Sequence, residues 1–198
     1  MATALKQWGN GRQFPPEFSL HHGNLLNHIE EGNVEQVRAF LTSQPQWLSY
    51  YYFERSLLHL AAEYDNPDVV AVLVELGMDV NTPQQEYPWG ALYTAVLRER
   101  LLSAKWLLEH GAHPKYEFRG LTFSCGTLSS VAEGKLEMVK LLVEHGAPVD
   151  ILVDDPPRSL LTTATQFGHT EVADYLRSIG ALTEEEIKTR AKGKRKKS

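Results

Sequence analysis

The strongest constraint on the fold of this chain is a pattern that recurs about every 34 residues. Five copies align on the turn residues Gly32, Asp65, Glu99, Gly134 and Gly168. Apolar side chains stand five and eight positions after each turn, which is the spacing of one helix face. They are Val37 and Phe40, Val70 and Leu73, Ala104 and Leu107, Val139 and Leu142, and Ala173 and Leu176. The pattern therefore predicts a helix after every turn.

A second signal marks where these helices end. Twelve positions after the turn, four copies carry glycine (Gly77, Gly111, Gly146 and Gly180), and the first copy carries Gln44. A helix that ends in a sharp reversal favours glycine there, because left-handed backbone angles penalise a Cβ. Leucine and alanine recur before the turn and indicate a shorter first helix. Two such helices cannot bury their apolar faces alone, so we predict an all-α solenoid of about five stacked helix-turn-helix repeats.

The second copy reads Ser56-Leu57-Leu58-His59-Leu60-Ala61-Ala62. Over residues 20–181 the chain resembles the ankyrin repeats, whose first helix opens with Thr-Pro-Leu-His-x-Ala-Ala. The resemblance implies a structural hydrogen bond between the Ser56 hydroxyl and the His59 imidazole at the helix start. The chain departs from the family in its fourth copy, which is degenerate, so we expect a distorted first helix at residues 126–131. Its connectors are also longer and more aromatic than the family's.

We expect three segments along the chain. Residues 1–19 form an N-terminal capping segment, residues 20–182 the repeat domain, and residues 183–198 a short helix with a basic disordered tail. Thr183 and Glu186 have the spacing of a capping box, which predicts the start of that last helix.

Charge is distributed unevenly. The net charge is −5, but the last eleven residues carry seven cations and no acid, whereas residues 1–187 carry 13 cations and 25 anions. An acidic body steers toward basic partners and makes nucleic-acid binding unlikely, although the tail could touch nucleic acid or an acidic surface. No apolar run reaches the length of a membrane span. With Cys125 as its single cysteine, the chain is expected to be cytoplasmic, and we expect a monomer.

The sequence shows no convincing catalytic or ligand-binding constellation. Its glycines are isolated by the repeat spacing and form no phosphate-binding loop. Its histidines lack partners at metal-ligand spacing, and His145 repeats the position of His110, which favours an architectural role. We therefore predict no enzymatic activity, no catalytic residue, no cofactor, no metal and no small-molecule substrate.

The connectors carry the most informative functional signal. Stacked repeats project their connectors along one edge, so aromatic and acidic residues there could form a single strip. Its members are Tyr50, Tyr51, Tyr52, Glu54, Glu86, Tyr87, Trp89, Tyr116, Glu117 and Phe118. Tyr64, Arg98 and Phe167, just before their turns, are expected to extend the strip onto the concave face. Tyrosine and tryptophan are enriched at binding hot spots. Burial of the rings over the helix ends is the alternative interpretation.

These features predict a module that binds another protein, one with a basic or amphipathic surface, through its concave face and connectors. Two alternatives stay open. The chain could be an immunity-type inhibitor that neutralises a toxic enzyme, since a small acidic binder suits a basic partner. It could also be an adaptor whose tail binds nucleic acid or an acidic surface.

Overall fold

The computed structural model describes residues 18–118, 121–124, 126–150 and 158–195. Its helices are α1 (Phe18–Glu30), α2 (Val34–Ser43), α3 (Leu57–Glu63), α4 (Pro67–Glu75), α5 (Ala91–Leu97), α6 (Leu101–Glu109), α7 (Thr127–Ala132), α8 (Leu136–Glu144), α9 (Leu160–Gln166), α10 (Thr170–Ser178) and α11 (Glu184–Arg195). A 3-10 helix spans Pro45–Ser49. The strands are β1 (Tyr51–Tyr52), β2 (Arg55–Ser56), β3 (Lys115–Phe118) and β4 (Leu121–Ser124). The all-α, helix-turn-helix fold class is confirmed.

The chain divides into two compact units, Met1–Ala112 and His113–Ser198. In the first unit, α1, α3 and α5 pack in sequence, and so do α2, α4 and α6. In the second unit, α7 packs on α9 and α8 on α10. Each unit has its own core, centred on leucines such as Leu58 and Leu73 in the first and Leu160 and Leu176 in the second. Stacked copies thus bury the apolar faces that a single copy would leave open.

The turns within the repeats share one backbone geometry. Gly32, Gly134 and Gly168 have φ of 73° to 77°, and Asp65 and Glu99 take the same left-handed conformation at 58° and 57°. The next residue's amide closes the turn by donating to a carbonyl five residues earlier, as Lys135 does to Ser130 at 2.8 Å. Two copies therefore keep a strained non-glycine turn, which indicates that neighbouring contacts hold it in place.

The four glycines after the second helices, Gly77, Gly111, Gly146 and Gly180, all have positive φ. In the first copy, Gln44 has φ of −136° instead, and the chain continues directly into the 3-10 helix. The buried Trp47 of that helix packs edge-on against Phe40 and Tyr50. Aromatic packing thus replaces a glycine reversal at the end of the first repeat.

At three junctions within the two units, a side chain that follows the turn links a repeat to the one before it. The residue after the turn donates to a backbone carbonyl at the end of the preceding repeat's first helix. The pairs are Asn66 with Ile29 (2.8 Å), Arg100 with Glu63 (2.7 Å) and His169 with Ala132 (2.8 Å). The last carbonyls of a helix have no partner within it, and these side chains supply a donor from outside the helix. An amide, a guanidinium and an imidazole thus perform one task at three junctions.

The connectors contain two β-hairpins that sequence analysis missed. β1 pairs with β2 in register Tyr51↔Ser56, and β3 pairs with β4 in register Tyr116↔Phe123. The degenerate fourth copy keeps a first helix, α7, of six residues. Gly126, with φ of 68°, precedes it and lies one residue closer to the turn than Ser56 does in the second copy. The first helix of this copy is thus one residue shorter than α3 and begins after a residue in the left-handed conformation.

The last helix, α11, begins with the predicted capping box, in which the Thr183 amide donates to Glu186 at 2.8 Å. Glu184 also accepts the Ser159 amide at 2.8 Å and the Thr162 hydroxyl, which anchors α11 to α9. The helix continues into the basic segment as far as Arg195. The N-terminal capping residues 1–17, Cys125 and residues 196–198 lie outside the described residues. No helix among the described residues is long and apolar enough to cross a membrane.

Candidate partner-binding site

The site in the first unit begins at the junction of β2 and α3. The Ser56 hydroxyl lies 2.8 Å from His59 Nδ1, and the Ser56 amide donates to the same nitrogen at 3.3 Å. His59 Nε2–H donates to the Trp89 carbonyl at 3.0 Å. Burial lowers the pKa of His59 to about 4, and nearby Arg55 acts in the same direction, although the bond to the Trp89 carbonyl opposes them. The imidazole is therefore neutral at pH 7 and ties the start of α3 to the second connector.

The second connector forms one wall of the site. The Gln84 amide donates to the Trp89 carbonyl at 2.9 Å and closes the connector on itself. The Tyr87 and Trp89 rings stack at 4.5 Å with 6° between their planes, and Trp89 and Tyr93 stack at 4.8 Å with 23° between theirs. Three rings are thus held in one continuous stack, which limits their rotamer freedom before any partner arrives.

An open cleft of about 450 Å³ lies beside this stack. Its lining combines rings, one aliphatic side chain and two guanidiniums. The lining residues are Arg55, Gln84, Trp89, Tyr93, Thr94, Leu97 and Arg98. We call this feature the inner cleft. An apolar floor with a few fixed polar groups is the usual composition of a binding pocket in a protein.

A charge cluster stands at the rim of the inner cleft. Glu63, at the end of α3, forms ion pairs with Arg55 and, at 3.0 Å, with Arg98. Arg100 donates to the Glu63 carbonyl at 2.7 Å. Arg98 was predicted from the sequence, whereas Arg55, Tyr93, Leu97 and the pairing through Glu63 were not. Arg55 lies on β2 just before α3, and Glu63 is the last residue of α3; their spacing of eight residues was the signal available in the sequence.

Tyr64 extends the exposed surface beside Glu63. Its ring is exposed, and its hydroxyl lies in the vicinity of the Glu30 carboxylate at the end of α1. Partial burial and the carboxylates of Glu30 and Glu63 raise the pKa of Tyr64, so the hydroxyl remains protonated. Tyr64 and Leu97 are both exposed apolar residues at the ends of neighbouring first helices, α3 and α5.

The first connector is only partly exposed. Tyr50 is half-buried against Trp47, and burial, assisted by Tyr52, raises its pKa to about 12. Tyr51, Tyr52 and Glu54 are half-buried as well, whereas Glu86 and Tyr87 of the second connector are exposed. Phe53, at the hairpin tip, is 51% exposed and was not among the predicted residues. The rings of this connector therefore divide between the two interpretations that the sequence left open.

The remaining predicted residues belong to the second unit. Tyr116, Glu117 and Phe118 lie on β3, of which the structure describes the backbone. Phe167 follows α9 and is exposed. Arg158 and Gln166 occupy the positions that Arg55 and Glu63 hold in the second repeat, and Arg158 Nη1 donates to Gln166 Oε1 at 3.4 Å. The second unit thus carries its own version of the pair, with an amide in place of the carboxylate.

Stacked helix pairs with projecting connectors define a repeat protein. The family model described as ankyrin repeats (3 copies) matches residues 25–117, and the model described as ankyrin repeats (many copies) matches residues 128–177. These stretches together cover well over half of the 198 residues, and the chain belongs to the ankyrin repeat family. Ankyrin repeats generally mediate protein–protein interaction and are typically not enzymes. Among the described residues, no group of three or more His, Cys, Asp or Glu side chains could hold a metal ion.

The chain is also similar to individual ankyrin repeat proteins, of which one is known by sequence and one by structure. An ankyrin repeat protein of fowlpox virus (strain NVSL) is 28% identical over 142 residues, which are 71% of this chain. The chain spans about a third of that protein's length, 32%. The crystal structure of the human ASB11 ankyrin repeat domain superposes with a TM-score of 0.67 at 21% identity, covering 80% of this chain and 69% of that one. The second likeness shows the fold.

Proposed function

We propose that this protein binds an amphipathic surface of another protein at the inner cleft and the neighbouring connectors, as a monomer in the cytoplasm. The observation that carries the proposal is the stack of Tyr87, Trp89 and Tyr93 beside the exposed Leu97. Together they present large apolar area next to fixed polar groups. Exposed apolar patches of this kind mark interaction sites on soluble proteins.

The energetics favour this surface over the rest of the first unit. Tyrosine and tryptophan contribute much contact area with few rotatable bonds, and here stacking already fixes the rings. His59 holds the connector from beneath through the Trp89 carbonyl. The ordering cost that usually offsets binding energy is therefore met largely during folding.

The acidic residues of the connectors suit the edges of such a partner. The exposed Glu86 and the half-buried Glu54 lie near the rings, and the Gln85 amide links the two connectors by donating to the Glu54 carbonyl at 3.1 Å. Basic residues of the partner would contact these carboxylates while its apolar residues cover the rings. An immunity-type inhibitor or an adaptor would use the same surface, so one experiment tests the binding face for both.

The test uses two matched leucines. A photo-crosslinking phenylalanine analogue at Leu97 identifies the partner by mass spectrometry, and the same analogue at Leu102 of α6 is the control. Leu102 is 60% exposed and Leu97 46%, so both side chains are accessible. Affinity for the crosslinked partner is then measured with Leu97→Glu and Leu102→Glu.

We expect Leu97→Glu to weaken binding by at least about tenfold, because it places a carboxylate on the apolar floor. Leu102→Glu is expected to bind like the unmodified protein, and circular dichroism checks that both variants fold. Equal losses in the two variants, or crosslinks only from position 102, would place the binding surface elsewhere.

A further inference from the structure

Basic residues are scarce around the inner cleft, and all of them converge on one residue, Glu63. Between residues 39 and 104 the sequence has eight acids and three cations, Arg55, Arg98 and Arg100. Each of the three contacts Glu63, two through its side chain and one through its carbonyl. All three cations of this acidic stretch therefore lie at the rim of the inner cleft.

One carboxylate cannot satisfy these guanidiniums. Arg55 takes Oε2 of Glu63 and Arg98 takes Oε1, so each arginine has one of the two oxygens. A guanidinium has five N–H donors and binds a carboxylate best through two parallel hydrogen bonds. The side chain of Arg98 is 58% exposed and that of Glu63 is 19% exposed. The cluster therefore shows solvent mainly its positive component.

Resting on the proposed function, we infer that the inner cleft takes an Asp or Glu side chain of the partner protein that lies beside a bulky apolar residue. The carboxylate pairs with Arg98 and with the accessible edge of Arg55. The apolar side chain covers Leu97 and the rings of Trp89 and Tyr93. A basic side chain at this point would face two guanidiniums, so the basic residues of the partner lie outside the cleft, toward Glu54 and Glu86.

Glu63 competes with the incoming carboxylate and so sets the affinity. The second unit shows what remains when an amide replaces the Glu63 carboxylate. Gln166 fills the equivalent position there and still accepts a hydrogen bond from Arg158. Glu63→Gln should therefore keep the local packing and free part of each guanidinium. It should bind an acidic ligand more tightly, which is the opposite of the effect expected for damage to a binding site.

The experiment uses peptides as probes. A phage library of random 12-residue peptides is panned against the full chain and depleted on the Leu97→Glu variant, and one enriched peptide is synthesised with its acid, with the amide (Glu→Gln) and with lysine (Glu→Lys). We expect enrichment of Asp or Glu next to Leu, Phe, Tyr or Trp. The amide peptide should bind about tenfold more weakly, the loss of one charge-assisted hydrogen bond.

Two protein variants complete the test. Glu63→Gln should bind the acidic peptide roughly threefold more tightly, an effect the size of an exposed ion pair, and leave the amide peptide nearly unchanged. Arg98→Glu should reverse the preference from the acidic to the lysine peptide. Leu97-dependent peptides without an enriched acid, or no gain from Glu63→Gln, overturn this inference and leave the proposed function standing. A library with no Leu97-dependent binder overturns both.

Discussion

The imidazole of His169 occupies the space that a side chain on Gly134 would need: a Cβ built on Gly134 would lie 2.5 Å from His169 Nδ1. The same imidazole donates through Nε2 to the Ala132 carbonyl at 2.8 Å. Gly134 also has φ of 73°. Glycine at this turn therefore has two roles. It allows the left-handed backbone conformation, and it leaves room for the His169 ring that links the next repeat.

Comparison of two turn glycines separates these roles. Gly168 has φ of 77°, but a Cβ there would meet nothing within 4 Å. We expect Gly168→Ala to lower the free energy of unfolding by about 1 kcal/mol, from backbone strain alone. Gly134→Ala should cost about 2 kcal/mol more, since the alanine also displaces the imidazole. Urea denaturation of each variant measures both values.

The control is the same pair in a His169→Ala background. Without the imidazole, the two alanine substitutions should cost the same, because only the backbone contribution remains. A difference that persists in that background would mean that the clash with His169 is not its cause.

Replacing either of two buried serines by alanine should change the free energy of unfolding in opposite directions. Ser103 Oγ is buried and has no hydrogen-bond partner among the described residues, and the equivalent positions hold the buried Val69, Met138 and Val172. We expect Ser103→Ala to raise the free energy of unfolding by about 1 kcal/mol, because an unsatisfied hydroxyl is removed. The Ser103 amide keeps its bond to Asp65. Thermal and urea unfolding measure the change.

Ser130→Ala is the matched control. Ser130 is equally buried, but its hydroxyl donates to the Gly126 carbonyl at 3.2 Å. Its replacement should cost about 1 kcal/mol, the usual net value of one such bond. If both substitutions destabilise alike, the Ser103 hydroxyl has a partner in solution.

Stability should fall as pH drops below 6.5, because His59 stays neutral in the folded protein. Its pKa is about 4 when folded, and the ordinary value is 6.5. Between these pH values His59 is protonated in the unfolded chain but not in the folded protein, so acid favours unfolding. The full loss, complete below pH 4, is on the order of 3 kcal/mol. His59→Gln should flatten the plot of unfolding free energy against pH in this window; an unchanged slope would assign the acid sensitivity to other groups.

The tip of the first hairpin exposes the Phe53 ring at a cost in backbone strain. Phe53 and Glu54 both have positive φ, 47° and 66°, although neither is glycine. A two-residue turn of this kind favours Asn-Gly. Replacing the pair by Asn-Gly should stabilise the protein by about 1 kcal/mol and weaken partner binding, because the exposed Phe53 ring is lost. Glu54→Gly alone should stabilise it and weaken binding less than the double replacement, because the Phe53 ring is kept; if the two variants weaken binding equally, Phe53 is not an anchor.

The fold could be predicted from the sequence because its determinants are local and repeated. The stripe of Val37, Val70, Val139 and its equivalents is buried throughout, since period 3.6 places these residues on one helix face. The hairpins could not be predicted in the same way. β1 and β2 have two residues each, too few for an alternating pattern to stand out against a general aromatic run.

The charge cluster was missed for a different reason. Arg55, Glu63 and Arg98 come from two repeats, and stacking rather than sequence spacing brings them together. The exposure of individual aromatic rings could not be predicted from the sequence either. Tyr50 and Phe53 stand three positions apart in one aromatic run, yet the first packs on Trp47 and the second caps a hairpin in solvent.

The junction donors have a consequence for how the repeats can be rearranged. Asn66 fits over Gly32 and His169 over Gly134, whereas Arg100 donates to the Glu63 carbonyl at a junction whose turn residue is Asp65. A shuffled chain that set the fifth copy on the second would press an imidazole against that aspartate instead of a glycine. At these three junctions, the donor of one copy matches the turn residue of the copy before it, so exchanging copies there would break the match.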